Sequence, residues 1–283
     1  MVLAIMYLIS WKKKNISVKM LVKAVIAQFL IAVILVKVPA GRYVVSKVSD
    51  AVTSVINCGQ DGLSFVFGSL ADSTAAAGSV FAIQVLGNIV FLSALVSLLY
   101  YIGILGFVVK WIGKAVGKLM GTSEVESFVA VANMFLGQTD SPMPVAMVAL
   151  VAAVNKLLGV CGISLQQVFS YVFASFGFFL GLDPSEILLE GNLLGSKLVL
   201  NEFVAFQQLG GMISSMDYRT GMIFAISLCG FANFSSLGIC VSGIAVLCPE
   251  KKSTLARLVF KAMLGGVAVS LISAMTVGLV TLC

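Results

Sequence analysis

The stretch GSKLVLNEFVAF, residues 195–206, sets three polar side chains inside a run that is otherwise apolar. Lys197, Asn201 and Glu202 have Leu, Val or Phe close on both sides. A charged side chain inside an apolar segment is costly to bury, and it therefore marks a candidate functional position. The composition of the whole chain decides whether this run lies in lipid or in the core of a soluble protein.

The composition places the chain in a membrane. Hydrophobic residues make up 60% of it and charged residues 11%, and the mean hydropathy is +1.09. A soluble domain carries roughly 25% charged residues. A spanning helix needs about 20 mainly apolar residues, and the chain shows no strand-like alternation. We therefore predict an all-α polytopic membrane protein with apolar runs near 18–38, 74–101, 144–160, 166–182, 195–210, 219–247 and 255–283.

The N-terminal run MVLAIMYLISW is apolar but short. At about 1.5 Å per residue it reaches only half of a hydrocarbon core of about 30 Å. A signal peptide is the alternative, but its charges should precede the apolar run, whereas Lys12, Lys13 and Lys14 follow it. We predict a partial spanning helix with these lysines on the cytoplasmic side. The net charge of +6 is spread over several loops, which favours lipid headgroups rather than nucleic acid as its partner.

The chain divides into three predicted parts. Residues 1–72 hold N-terminal spanning helices and a weaker, interfacial segment. Residues 73–143 hold a spanning helix, an amphipathic stretch at 102–119, and a helix from about Glu124. Residues 144–283 are nearly continuous membrane sequence with short turns.

The residues that enzymes and metal sites need are sparse. The chain has six cysteines and no histidine, and no two cysteines form a CxxC pair. Thiol catalysis and metal ligation therefore lack support, and we interpret the cysteines as small packing residues. An intramembrane enzyme is the weakest functional hypothesis, because no nucleophile lies beside a base.

Two further polar segments predict interrupted helices. In NMFLGQTDSP, Gly137 and Pro142 would end a helix near mid-membrane, as in a re-entrant hairpin. In CGFANFSS, Gly230 can loosen the helix, while Asn233 and Ser236 share one helical face. These polar side chains either bond back to their own helix or line a cavity at a broken helix.

The acidic residues of two segments receive different interpretations. DPSEILLEGN, with Asp183, Glu186 and Glu190, is typical of a helix start, and we place it in a turn at the membrane surface. Glu202 lies too deep in its run to reach water along a helix. Lys197 would lie about 140° away around that helix, which is poor geometry for an ion pair. Glu202 therefore needs a partner from elsewhere in the protein.

Three segments together resemble a known family. NMFLGQTDSP, GSKLVLNEFVAF and CGFANFSSLGICVSG are similar, in this order, to signature segments of the concentrative nucleoside transporters, and ESFVAVAN and DPSEILLEGNLLGSK fit as well. The resemblance implies a transporter fold with inverted repeats, re-entrant hairpins and broken helices. It also implies a homotrimer, multi-pass in the cytoplasmic (inner) membrane, that imports nucleosides by symport with Na+ or H+ and needs no other cofactor.

The resemblance also assigns residues to roles. Contact with the nucleobase is implied for Gln138, Thr139 and Asp140. The ribose hydroxyls are implied to bind Glu202, Asn233 and Ser236, with Phe231 lining the pocket. The coupling cation is implied to bind Asn133 and the carbonyl of Leu136.

Two departures from the family stand out. Asp140 takes the place of the usual Glu and is one methylene shorter. In addition, the helix VAMVALVAAVNKLLG follows Pro142 directly, where the family has the rest of the hairpin, a broken helix and another span. These elements need roughly a hundred residues, so we predict a gap at about 142–146 and an incomplete first repeat. A nucleoside symporter therefore competes with a non-transporting remnant, or with a scaffold or binding partner of an intact paralogue. The sequence alone leaves sodium or proton, and purine or pyrimidine, open.

Overall fold

A computed structural model of the chain describes residues 2–10, 13–71, 81–135 and 143–282. Helices occupy most of these ranges, and no β-strand occurs within them. The helices are α1 (Val2–Ile9), α2 (Val18–Val36), α3 (Pro39–Phe67), α4 (Phe81–Tyr101), α5 (Ile104–Met120), α6 (Glu124–Phe135), α7 (Met143–Leu158), α8 (Leu165–Leu180), α9 (Pro184–Val199), α10 (Glu202–Gly210), α11 (Tyr218–Leu228), α12 (Phe234–Leu247) and α13 (Lys252–Leu282).

The lengths of these helices follow the predicted apolar runs in part. Among the described residues, Val18–Val36 and Pro249–Leu282 are long and apolar enough to cross a membrane. A third span results if Val90–Tyr101 and Ile104–Met120, which meet at a 79° bend, are taken together. The runs predicted at 195–210 and 219–247 are each interrupted, and these interruptions build the candidate site described below.

The first of two compact units comprises residues 19–24 and 38–137. Within it α3 packs against α4, and α5 packs against α6. Two glycines of α5, Gly113 and Gly117, let α6 approach closely, because a Cβ on Gly117 would lie 2.8 Å from the hydroxyl of Ser127. Ser127 is buried and donates a hydrogen bond of 2.9 Å to the Ser123 carbonyl.

The other unit comprises residues 1–18, 25–37 and 138–283. Its core is formed by apolar side chains of α8 to α13, including Leu193, Leu198, Ile223, Phe224, Leu228 and Leu271. Lys261 of α13 donates a hydrogen bond of 3.1 Å to the carbonyl of Ile9, at the end of α1. The short helix α1 is therefore anchored on α13 by the charged side chain of Lys261. Helix α2 is bound to α13 as well, because Gln28 donates a hydrogen bond of 2.5 Å to the hydroxyl of Ser273.

Helices α8 and α9 form an antiparallel pair that approaches as closely as glycine allows. A Cβ on Gly191 would lie 2.5 Å from the carbonyl oxygen of Ser170, and one on Gly195 would lie 2.7 Å from that of Gln166. The two backbones are therefore in direct contact along this face.

The division of the chain into 1–72, 73–143 and 144–283 stays a prediction.

The start of α9 agrees with the sequence, but its interior does not. Asp183 and Glu186 form a capping box, and Pro184 takes the first helical position, as the sequence predicts. The interpretation of the whole DPSEILLEGN segment as a surface turn is wrong. Residues 184–199 are one helix, and the side chain of Glu190 is 0% exposed. The capping signals mark only the first turn, and the close packing on α8 carries the following residues into the protein.

Candidate functional site at two helix breaks

The first helix break separates α9 from α10. Leu200 leaves helical geometry with φ −97° and ψ −88°, and Asn201 is extended. The side-chain oxygen of Asn201 accepts a hydrogen bond of 2.9 Å from the backbone N–H of Val204 and so caps α10. Glu202 is therefore the first residue of a new helix. The expectation that Glu202 sits in the middle of a helix is wrong, because Asn201 acts as a cap.

The second break separates α11 from α12. Gly230 has φ +96°, a conformation that side chains with a Cβ rarely adopt. Asn233 then caps α12, and its side-chain oxygen accepts hydrogen bonds of 2.8 Å from both the backbone N–H and the hydroxyl of Ser236. The broken helix predicted at this glycine is present. The i, i+3 spacing places the backbone N–H of Ser236 within reach of the capping side chain of Asn233.

The two breaks are joined by one hydrogen bond between side chains. The amide nitrogen of Asn233 donates a bond of 2.8 Å to a carboxylate oxygen of Glu202. Asn233 is 1% exposed, whereas Glu202 is partly buried. Both residues lie at helix N-termini, where the aligned peptide dipoles favour a negative charge. The carboxylate is thus held in place by the first turns of α10 and α12.

Lys197 binds the α11 side of the second break, whereas Asn233 caps the α12 side. Its ammonium group donates hydrogen bonds of 2.9 Å to the carbonyls of both Ser227 and Cys229, and one of 3.1 Å to the hydroxyl of Ser270. The hydroxyl of Ser270, on α13, in turn donates a hydrogen bond of 2.7 Å to the carbonyl of Cys229. A helix end leaves carbonyls without intrahelical partners, and a cation at that end is favourable. Lys197 therefore stabilises the end of α11 from the neighbouring helix α9.

The predicted ribose residues come together at these breaks. Glu202, Asn233 and Ser236 are linked by the hydrogen bonds above, and Ser236 also donates a short one to the carbonyl of Phe231. The side chain of Phe231 is 45% exposed beside them. The arrangement offers a carboxylate, an amide and an aromatic ring on one patch.

The predicted residues of the first hairpin are described only in part. Asn133 lies in α6. The others, Leu136, Gln138, Thr139 and Asp140, lie outside the described residues. Their roles toward base and cation stay predictions, as do the roles of the residues at the two breaks. Within the described ranges, no group of three or more Cys, Asp or Glu is arranged to hold a metal ion.

Sequence reasoning did not find the partners of Lys197 or the burial of Glu190. Lys197 stands out as a charge in an apolar run, but its partners lie 30 and 73 residues further along the chain. The one sequence signal for the burial of Glu190 is its position: it follows the first turns of a helix and precedes the mainly apolar stretch GNLLGSK.

The loop end of α11 is fixed by its own cap. Asp217 accepts backbone hydrogen bonds from Arg219 at 2.9 Å and Thr220 at 3.2 Å. The Thr220 hydroxyl beside the carboxylate, with these backbone donors, holds the pKa of Asp217 below its usual range. α11 is therefore capped at its loop end by Asp217 and at its inner end by Lys197.

Two family models cover most of the chain. Residues 1–70 match the N-terminus, and residues 141–278 the C-terminus, of the family described as Na+ dependent nucleoside transporters. The chain belongs to the concentrative nucleoside transporter family. The chain is 29% identical to an uncharacterized transporter of Haemophilus influenzae, over 98% of this chain and 95% of that protein. It is 26% identical to the nucleoside permease NupC of Helicobacter pylori, over 98% of this chain and 96% of that protein.

A solved structure shows the same fold. The chain matches the structure of CNTnw in an inward-facing substrate-bound state with a TM-score of 0.88 and 26% identity, over 99% of this chain and 97% of that one. The predicted fold class, an all-α polytopic membrane protein with a transporter fold, is thereby confirmed, as is the expectation that the chain is not an enzyme. The alignments with the two relatives run over 395 and 400 positions, whereas this chain has 283 residues.

Proposed function

We propose that this transporter binds a nucleoside by its ribose at the two helix breaks and carries it across the cytoplasmic membrane together with a cation. The observation that carries the proposal is the hydrogen bond between Asn233 and Glu202, which presents a fixed carboxylate at two helix N-termini. Similar proteins are named nucleoside permease, purine nucleoside transport protein and sodium/nucleoside cotransporter. These names support a nucleoside as the substrate.

The chemistry of the patch suits a ribose. A carboxylate accepts several hydrogen bonds, so Glu202 can take bonds from two adjacent sugar hydroxyls in addition to the one from Asn233. The amide of Asn233 has a second N–H that can donate to a sugar oxygen. Ser236 donates its proton within the site, and its oxygen can accept another hydrogen bond. The ring of Phe231 supplies apolar contact for the sugar or base.

The first hairpin would supply the other half of the site. We assign contact with the base to Gln138, Thr139 and Asp140, and cation binding to Asn133 and Leu136, on the resemblance of NMFLGQTDSP to the family. The family description supports Na+ as the coupling ion. The resemblance likewise supports a homotrimer in the inner membrane, with the helices at 18–38 and 74–101 at the interface.

A second candidate function is favoured by the length of the chain. The relatives align over more positions than this chain has residues, which supports a missing segment. We place it at about 142–146, after the first hairpin motif. The missing broken helix belongs to the first of two inverted repeats, on whose pairing alternating access depends. The alternative is therefore a chain that retains the ribose half of the site but does not transport, as a remnant, a scaffold or a partner of an intact paralogue.

Uptake of labelled uridine into proteoliposomes separates the two functions. The purified full chain is reconstituted and tested with an inward sodium gradient, with an inward proton gradient, and with neither. A gradient-dependent uptake that is lost in Glu202→Gln supports the symporter. Uridine binding in detergent without uptake under any gradient supports the non-transporting alternative.

A further inference from the structure

Glu190 is a buried carboxyl group that the proposed nucleoside site does not use. It lies within α9, and its side chain is 0% exposed. Neither of its oxygens has a hydrogen-bond partner among the described residues. Buried polar groups are almost always hydrogen-bonded, and a buried charge without partners is strongly unfavourable. An unpartnered carboxyl at this depth therefore needs a chemical explanation.

Two groups that could donate a hydrogen bond to Glu190, Ser227 and Lys197, are engaged with other acceptors. Ser227 lies beside the carboxyl, but its hydroxyl donates its own proton to the carbonyl of Phe224 at 2.8 Å. Lys197 lies about two turns further along α9, on the same face. Its ammonium is held by the carbonyls of Ser227 and Cys229 and by Ser270. Both possible donors are thus engaged elsewhere.

Other ionisable side chains on the helices around α9 do not replace these donors. Helices α8, α10, α11 and α12 pack against α9. Lys197 is the residue whose charge acts on Glu190. The remaining ionisable groups on these elements and on α9 itself are Tyr171, Glu186, Glu202, Tyr218, Arg219, Cys229 and Cys240. Tyr171 is exposed at 69%, and Glu186 accepts a hydrogen bond of 3.2 Å from Thr220. Arg219 has buried donor nitrogens without a partner among the described residues, but its guanidinium lies beside Gly181, at the end of α8.

We propose that Glu190 is a proton-binding site of the second repeat. In the conformation described here its carboxyl group holds a proton at neutral pH. A protonated carboxyl carries no charge, so burying it without hydrogen-bond donors costs far less than burying a carboxylate. The geometry therefore suits the acid and leaves the carboxylate without donors.

Release of this proton would be linked to Lys197. If the α11–α12 break rearranges, the ammonium group loses its carbonyl partners and can turn toward Glu190 on the same helical face. The O–H bond of the carboxyl then breaks, the proton passes to water, and the carboxylate charge is matched by the ammonium. This link rests on the proposed nucleoside function, because sugar binding at Glu202 and Asn233 acts on the same break.

Infrared difference spectroscopy of the purified full chain in detergent tests the proton site without nucleoside or gradient. We expect wild type at neutral pH to show the carbonyl stretch of a protonated carboxylic acid, with the small downshift in deuterated water that this group gives. Glu190→Gln should abolish that band. Glu250→Gln, which removes an exposed carboxylate, should leave it unchanged. A wild-type spectrum without a band that depends on Glu190 would overturn the proposal.

Two further measurements extend the test. Glu190→Gln imitates the protonated acid, so we expect its thermal midpoint in detergent at neutral pH to stay within about two degrees of wild type; a large loss would contradict a protonated Glu190. Uridine binding in weak buffer with a pH indicator should release protons from wild type but not from Glu190→Gln. Binding without this difference would overturn the link to Lys197. If the band is present but the chain imports no uridine, the proton site stands and only the transport function fails.

Discussion

The side-chain amide of Asn233 donates a 2.8 Å hydrogen bond to the carboxylate of Glu202, which lies 31 residues earlier in the chain. Asn233 uses its other side-chain atom, the oxygen, to cap α12 through Ser236. One residue therefore both starts a helix and orients the carboxylate that we assign to the ribose. The stability of the break and the affinity for nucleoside should depend on it separately.

A comparison of two capping asparagines separates these roles. Asn201→Ala and Asn233→Ala each remove a helix cap, and we expect each to lower the free energy of unfolding by about 1 kcal/mol. Only Asn233→Ala also removes a hydrogen bond to a charged group. It should therefore weaken uridine binding by roughly 10- to 100-fold, while Asn201→Ala changes it little. Thermal midpoints and uridine titration calorimetry on both variants check this, and equal losses of affinity would contradict the distinct role of Asn233.

The left-handed backbone at Gly230 gives a second prediction. A Cβ at φ +96° is strained, so Gly230→Ala should destabilise the protein by about 1–2 kcal/mol. Gly210→Ala is the matched control, since a Cβ there meets nothing within 4 Å. We expect the control to be neutral or slightly stabilising in thermal unfolding. If both variants unfold at the same temperature, the break does not depend on the glycine.

Lys197 should matter for stability more than a charge in an apolar run normally would. Lys197→Met leaves the carbonyl of Ser227 without its donor and the carbonyl of Cys229 with Ser270 alone, and an unsatisfied buried group costs about 1–3 kcal/mol. Lys252→Met removes an exposed ammonium at the start of α13 and serves as the control. We expect the first variant to unfold several degrees below wild type and the second to match it. A normal midpoint for Lys197→Met would show that water or another group replaces the ammonium.

The sequence predicted those parts of the fold that local chemistry determines. The Asp183 and Pro184 cap marks the start of α9, and a glycine beside a capping asparagine predicts the break before α12. The break at Asn201 carries no glycine, and the sequence there predicts one continuous apolar run, 195–210. The role of Asn201 as a cap becomes apparent only from its backbone, which is extended.

The partners across the structure could not be predicted from spacing. The resemblance grouped Glu202 with Asn233, but the bond between them depends on how α10 and α12 pack. The burial of Glu190 depends on the glycine contacts between α8 and α9, which bring the two backbones together. The polar residues of the segment predict a surface position for Glu190, but the packing of α9 against α8 buries it.

The predicted gap in the first repeat leads to a test at Asp140. The resemblance assigns Asp140 to a site that the broken helix would complete, and without that helix we expect the chain to bind no cation there. Asp140→Asn should then leave thermal stability in detergent unchanged, with or without sodium. If sodium raises the wild-type midpoint by several degrees, as bound ligands do, and the variant loses this rise, a working cation site is present despite the gap.

The ribose assignment is tested most directly by measuring the affinities of uridine and 2′,3′-dideoxyuridine for wild type and Glu202→Gln by titration calorimetry. Of the two ligands, only uridine has the 2′- and 3′-hydroxyls that can donate hydrogen bonds to the Glu202 carboxylate. We expect Glu202→Gln to weaken uridine binding by roughly 10-fold or more and to change the affinity for the dideoxy analogue little. Glu250→Gln should affect neither ligand. An equal loss for both ligands would contradict the assignment of Glu202 to the ribose.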